Sequence, residues 1–198
     1  DAYFMLKSAI ISSLLFGASA LAFAAPVAYQ VDPTHTATVF SWNHLGFSHP
    51  SANFKDIRGV IHYDAQKPSN SSVNITIPVN SVNTNVPLLD SKIQDAEWFD
   101  VAKYPNITFK STKVEPLDGK RLKVTGNLTV KGIAKPVVLV AKLNHMGAHP
   151  MVKKPAIGFD ATTHFKRSDF GMTDLIPSVS DRIDIKITTE AIANGKVF

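Results

Sequence analysis

Two imidazoles and four aromatic rings crowd one fifteen-residue stretch of this chain. In FSWNHLGFSHPSANF, His44 and His49 stand among Phe40, Trp42, Phe47 and Phe54. A metal site, a stacking platform for nucleic-acid bases and the wall of an apolar pocket could each use such a set. An ordinary core could use the aromatics too. The two histidines are five apart beside Gly46 and Pro50, so they share neither a helix face nor a strand face. A second pair, His145 and His149, flanks Met146, with Met151 beyond. Imidazole and thioether are ligands that suit copper. Gly147 and Pro150 mark this pair as a loop, however, and no third nitrogen ligand is evident. A site needs three or more converging ligands, so no metal ligand is assigned.

Other chemistry is equally thin. The chain has no cysteine, which removes thiol catalysis, disulfides and Cys-based zinc or iron–sulfur sites. It has no G-x-S-x-G elbow, no H-E-x-x-H and no P-loop. Asp169 and Asp174 flank FGMT, where turn hydrogen bonding is the ordinary work of a carboxylate. No catalytic residue is assigned, and the chain is not read as an enzyme. The net charge is +5, but Lys and Arg are scattered and the longest basic runs are pairs such as Lys153-Lys154. That describes a solvated surface better than a nucleic-acid footprint, and no nucleic-acid partner is expected.

The N-terminus reads as an address rather than as structure. Met5-Leu6-Lys7 gives a short basic start, Ala9 to Phe23 is apolar, and Ala22-Phe23-Ala24 fits an A-x-A cleavage site. Residues 1–24 are therefore expected to be a short remnant ahead of the start methionine plus a signal peptide. The apolar run is expected to be helical. Export is expected to follow, with residues 25–198 as one domain. Removing 1–24 takes away one base and one acid, so the net charge is unchanged.

The elements that must position the aromatics are strands. RIDIKITTEAI places Ile183, Ile185 and Ile187 on one face, and RLKVTGNLTV does the same with Leu122, Val124, Leu128 and Val130. AIGFDATTHF puts Ile157, Phe159, Ala161, Thr163 and Phe165 on one side. This period of two predicts half-buried antiparallel strands. About eight are expected, near 36–43, 54–64, 72–80, 106–115, 120–130, 136–146, 155–166 and 182–193. One segment breaks the pattern. PLLDSKIQDAEWF puts Leu89, Ile93 and Ala96 at helical spacing after Pro87, which predicts a short helix after the third strand. Eight long alternating strands close into a barrel or pack as a sandwich. Phe40, Trp42, Ile107, Phe109, Phe159 and Phe165 fall on faces assigned to the interior. Patterning alone leaves a filled core and an occupied one equally open.

Four segments carry a resemblance that covers nearly all of the chain after the signal. They are YQVDPTHTATVFSWNHLGFS, DAEWFDVAKYPNITFKST, GNLTVKGIAKPVVL and FKRSDFGM. In this order they resemble the YceI-like family of periplasmic polyisoprenoid-binding proteins. The second is similar to its A-x-F-F-D-x-x-x-Y-P-x-x-x-F signature, the third to G-x-L-T-x-x-G-x-x-K-P, and the last to R-x-D-F-G. The resemblance implies an all-β, elongated, antiparallel, eight-stranded lipocalin-like barrel with one inserted short helix. It implies a long isoprenoid chain of quinone or polyprenyl type as ligand, no other cofactor, and no catalytic residues. Carried onto this chain, it makes Phe40, Trp42, Phe47, Leu89, Ile93, Phe99, Ile107, Phe109, Phe159, Phe165 and Phe170 candidates for the lipid pocket and its mouth. His35, Arg167 and Asp169 become candidates for polar contacts near the opening. The chain departs from the family where Lys92-Ile93 replaces a His-Leu pair, where Trp98 replaces a Phe, and at VSDRI near the end.

The expectation is an exported lipid carrier with transient membrane-surface contact. Its alternatives are a periplasmic enzyme or redox partner acting on a quinone-like head group, and a filled barrel with a surface role. A long exposed strand edge would favour a homodimer, and the sequence locates none.

Overall fold

The computed structural model of the protein describes residues 24–193. Except for Ala24, the signal-peptide segment and its expected helix lie outside those residues. Eleven strands form: β1 (Val27–Val31), β2 (Ala37–Ser41), β3 (Ser51–Phe54), β4 (Arg58–Tyr63), β5 (Ser72–Pro78), β6 (Val82–Asn83), β7 (Asn106–Pro116), β8 (Arg121–Val130), β9 (Ile133–Ala148), β10 (Pro155–Lys166) and β11 (Arg182–Ala193). One α-helix, α1 (Pro87–Lys92), lies between β6 and β7.

The eleven are eight strands, three of them broken. All pairs are antiparallel. The order β1-β4-β5-β7-β8-β9-β10-β11 closes through β1 and β11. β2, β3 and β6 continue β1, β4 and β5 upward: β11 pairs β1 through Ala191–Ala193 and β2 through Asp184–Thr188. The β1–β11 pairing joins the two ends of that eight-strand order. The remaining edge, β6, is two residues long and lies beside α1.

The breaks correct the expected spans. In place of one strand over 54–64, residues 51–63 form two, β3 and β4, and β1 precedes the expected 36–43. Pro33 has no N–H to give a ladder. Its place is taken by a single 3₁₀ turn capped by Asp32, which accepts from the Thr34 backbone N–H. Val79–Ser81 makes a second such turn, tied by the Ser81 hydroxyl donating to the Pro78 carbonyl at 2.7 Å. The Lys55 N–H donates to Ser81 O at 2.9 Å, so neighbouring breaks lie at one level.

The helix also ends early. It stops at Lys92, and Ile93 turns inward to become buried. The Phe99 N–H then returns to the Ile93 carbonyl and the Val101 N–H to Gln94. This compact turn leaves Ala96 exposed. Burying Ile93, Trp98 and Phe99 over the barrel outweighs continuing a single marginal helix.

Along β10 and β11 the inward faces are the alternating sets expected. β7 changes parity through a bulge between Ser111 and Lys113. Ile107 and Phe109 point in before it, and Val114 points in after it. A bulge at this point bends the strand and increases its twist, as barrel closure requires.

Candidate functional site

The interior is not filled. Two cavities lie end to end inside the barrel, of about 520 Å³ and about 180 Å³. Thr38, Ile77, Leu128, Phe165 and Ile185 line both, and form a waist between them. The larger volume is within the range of roughly 300–1,000 Å³ typical of ligand pockets.

The upper chamber lies where β2, β3, β7, β8 and β10 meet the insert that carries α1. Phe40 on β2 and Trp42 just beyond its end both line the chamber, with ring centroids 5.8 Å apart. Phe40 stacks on Phe54 at 5.4 Å, and Phe54 meets Phe99 edge-on at 6.0 Å. Leu89, Ile93 and Phe99 come down from the insert, and Ile107 comes from β7. The lower chamber holds Phe109 and Phe159. Phe159 packs edge-on against Tyr63 at 5.6 Å, and burial pushes the Tyr63 phenol above its ordinary pKa. Gly126 on β8 sits under Phe109; a Cβ there would collide with the Phe109 ring. The glycine lets that ring lie flat on the wall instead of filling the chamber.

Phe165 lies at the waist, backed by Phe170 at 5.2 Å. Phe170 is 1% exposed and lines neither chamber. Phe47 is 89% exposed and also lines neither. Its direction follows from the turn: Leu45 and Gly46 both have positive φ (57° and 75°), with the Phe47 N–H donating to the His44 carbonyl. That two-residue reversal throws Phe47 into solvent.

Among the polar candidates, Arg167 lines the upper chamber, whereas His35 and Asp169 line neither. Arg167 is 3% exposed, and four of its N–H groups are spent on carbonyls. It donates to Ser180 and Met172 at 3.0 and 2.9 Å, and to Asp174 and Val179 at 2.7 and 2.9 Å. Its guanidinium also covers the Trp98 ring, 5.1 Å from the centroid. Arg167 thus clamps the β10–β11 connection over the chamber. The Trp98 indole N–H is buried without a hydrogen-bond partner. At the rim, Lys92 Nζ is 3.3 Å from Asp95 and 3.9 Å from Glu97.

His44 and His49 do not converge on a metal. His44 lines the upper chamber, while His49 Nε2 is 3.3 Å from the Asn43 amide. Sequence reading missed the wall residues that come from loops, among them Val86, Met172, Leu175 and Val179. They follow no periodicity. Trp98 was visible only as a departure from a motif. The arrangement is an apolar tube with a wide upper end, a waist and a narrow lower end, and its rim cations are already engaged.

A YceI-like domain model matches residues 29–191. The chain is 38% identical over 184 residues to Protein YceI of Salmonella arizonae, covering 92% of this chain and 94% of that one. The crystal structure of Burkholderia cenocepacia BcnA superposes with a TM-score of 0.74 at 27% identity, over 81% of this chain and 99% of its own. A polyisoprenoid binding domain of Saccharophagus degradans, implicated in plant cell wall breakdown, shares the fold (TM-score 0.67, 17% identity, 84% of this chain and 99% of that one). With matching sequence motifs, a matching barrel and a model match over most of its length, the chain belongs to the YceI-like family.

Proposed function

We propose that this protein is an exported carrier that holds one long isoprenoid lipid, of quinone or polyprenyl type, along the barrel axis. The observation that carries the reading is the interior: two apolar chambers joined through a waist, with aromatic walls. A branched, slender chain suits such a tube. Each buried CH₂ contributes about 0.8 kcal/mol, so an isoprene unit brings on the order of 4 kcal/mol before the costs of ordering. Affinity therefore needs few polar contacts. The description of the Saccharophagus domain as polyisoprenoid binding supports the ligand class, and the signal-like residues 5–24 support export to the periplasm. The binding residues in this reading are Phe40, Trp42, Leu89, Ile93, Phe99 and Ile107 above the waist, Phe165 at it, and Phe109 and Phe159 below. Phe170 supports Phe165 from behind. The open end bears the membrane-facing rim, to which Phe47 belongs.

Trp42→Ala and Phe109→Ala test the two chambers separately. Each variant should keep the circular-dichroism signature of the barrel and lose at least about tenfold in affinity for a polyprenyl lipid, since each removes a large apolar contact surface. Undiminished binding in both folded variants would refute an occupied barrel.

A further inference from the structure

We propose that the lower chamber gauges chain length, and that Ala141 and Ala161 set the longest isoprenoid tail the barrel accepts. The inference rests on the carrier reading and names a property of the ligand which that reading leaves open.

Small residues make the space. An eight-stranded barrel is just wide enough to be filled by its own side chains, so a hollow needs inward positions that fall short of the axis. Ala141 on β9 and Ala161 on β10 are such positions. They are cross-strand partners, each is 8% exposed, and both line the lower chamber. Two residues away on the same strands, Leu139 and Phe159 line it with larger side chains. Gly126 on β8 adds to the hollow by letting the Phe109 ring lie against the wall. Period-two alternation marks Ala161 as inward, but its pairing with Ala141 follows only from the register.

The chamber also has an end. Below it Tyr29, Ile157 and Ala191 are 4%, 1% and 0% exposed and line neither chamber. They fill the barrel where β1, β10 and β11 meet, with Ala191 paired to both Val31 and Ile157. At one side the lining turns polar at Ser71 and Ser72. The Ser71 hydroxyl accepts from the Asp64 N–H at 3.0 Å. A hydrocarbon end gains nothing by displacing such groups.

The two chambers differ in how far their walls can give. Loops supply part of the upper wall, through Val86, Met172, Leu175 and Val179. Around Ala141 and Ala161 the lower wall is a continuous antiparallel ladder of β8, β9 and β10. That ladder cannot spread without losing backbone hydrogen bonds. Each added isoprene unit therefore gains apolar contact until the lower chamber is full, and later units stay at the mouth. The chamber holds about 180 Å³, or about six water volumes at roughly 30 Å³ each. Leucine at both alanine positions adds about as many carbon-sized groups, enough to fill it.

The test is quenching of the two tryptophans, Trp42 and Trp98, which both line the upper chamber. The quenchers are a homologous series of benzoquinones with prenyl tails of increasing length. In the parent protein, affinity should rise with tail length and then level off. In the Ala141→Leu/Ala161→Leu variant it should level off at a shorter tail, with the longest tails bound at least about tenfold more weakly. Phe159→Leu enlarges the chamber and should move the levelling to a longer tail. It decides the matter if the double variant loses the circular-dichroism signature of the barrel. A levelling length that stays the same in either folded variant overturns the gauge and leaves the carrier reading standing. So does a parent affinity that rises without levelling. A parent that binds no member of the series overturns the carrier reading, and the gauge with it.

Discussion

Arg167 shows how a polar residue at a pocket can be structural in its chemistry. Its fork meets four carbonyls of the 172–180 connection and covers Trp98. Burial pulls its pKa down, against the neighbouring charges of Asp181 and Asp174, yet a guanidinium stays protonated. Lysine has one nitrogen and cannot span four acceptors. Arg167→Lys should therefore cost about 3 kcal/mol of unfolding free energy, from carbonyls left buried and unpaired. Urea unfolding measures this, and a loss below about 0.5 kcal/mol would remove the clamp from the account. The same motif suggested a head-group contact from sequence. Nothing in FKRSDFGM could reveal that the acceptors come from residues 172–180, because that connection carries no pattern.

At the scale of elements, the long strands were legible and the interruptions were not. Period-two alternation located β10 and β11 and their inward faces, because one buried face fixes the pattern strictly. The breaks near Pro33 and Val79 carry weak local signals, and tertiary pairing decides them. The helix was read too long because Leu89, Ile93 and Ala96 fit its period, while the burial of Trp98 and Phe99 needed a turn. The upper wall was legible where strands make it (Phe40, Trp42, Ile107) and opaque where loops do (Val86, Leu175, Val179). The β10–β11 connection also supplies a pH test. Burial alone would raise the Asp181 carboxyl. The Ser168 backbone N–H at 2.8 Å and hydroxyl at 2.7 Å, with the charges of Lys166 and Arg167, outweigh burial and hold it below its ordinary value. A carboxyl depressed on folding stabilises the fold above its unfolded pKa of about 3.9, and that stabilisation is lost as pH falls through the folded value. Asp181→Asn should therefore be less stable than the parent protein at pH 7, with the gap closing as pH drops below about 4. Thermal midpoints across that range test it, and a gap independent of pH would exclude the carboxylate as its source.

At the scale of the whole molecule, one end of the barrel differs from the rest. Leu45, Phe47, Val86, Leu88 and Leu175 are each more than half exposed. Leu88 is on α1 and the others are on loops at the upper end, where the β2–β3 and β10–β11 loops are tied by Leu45 N–H donating to the Ser178 carbonyl at 2.8 Å. Lys92 lines the same rim, and the chain carries a net charge of +5. In the proposed carrier reading this apolar rim, whose Lys92 is already paired with Asp95 and Glu97, meets a bilayer surface, where the carrier would load and release its lipid. Replacing Phe47 and Leu88 together by Ser should weaken sedimentation with anionic phospholipid vesicles by about tenfold or more, leaving the chambers intact. Equal sedimentation would place the docking face elsewhere. The central claim is that the tube is occupied by a long isoprenoid. Its most direct test is organic-solvent extraction of protein purified from a bacterial host without added lipid, followed by mass spectrometry. The account predicts close to one long-chain isoprenoid per barrel; an extract with no stoichiometric isoprenoid would contradict it.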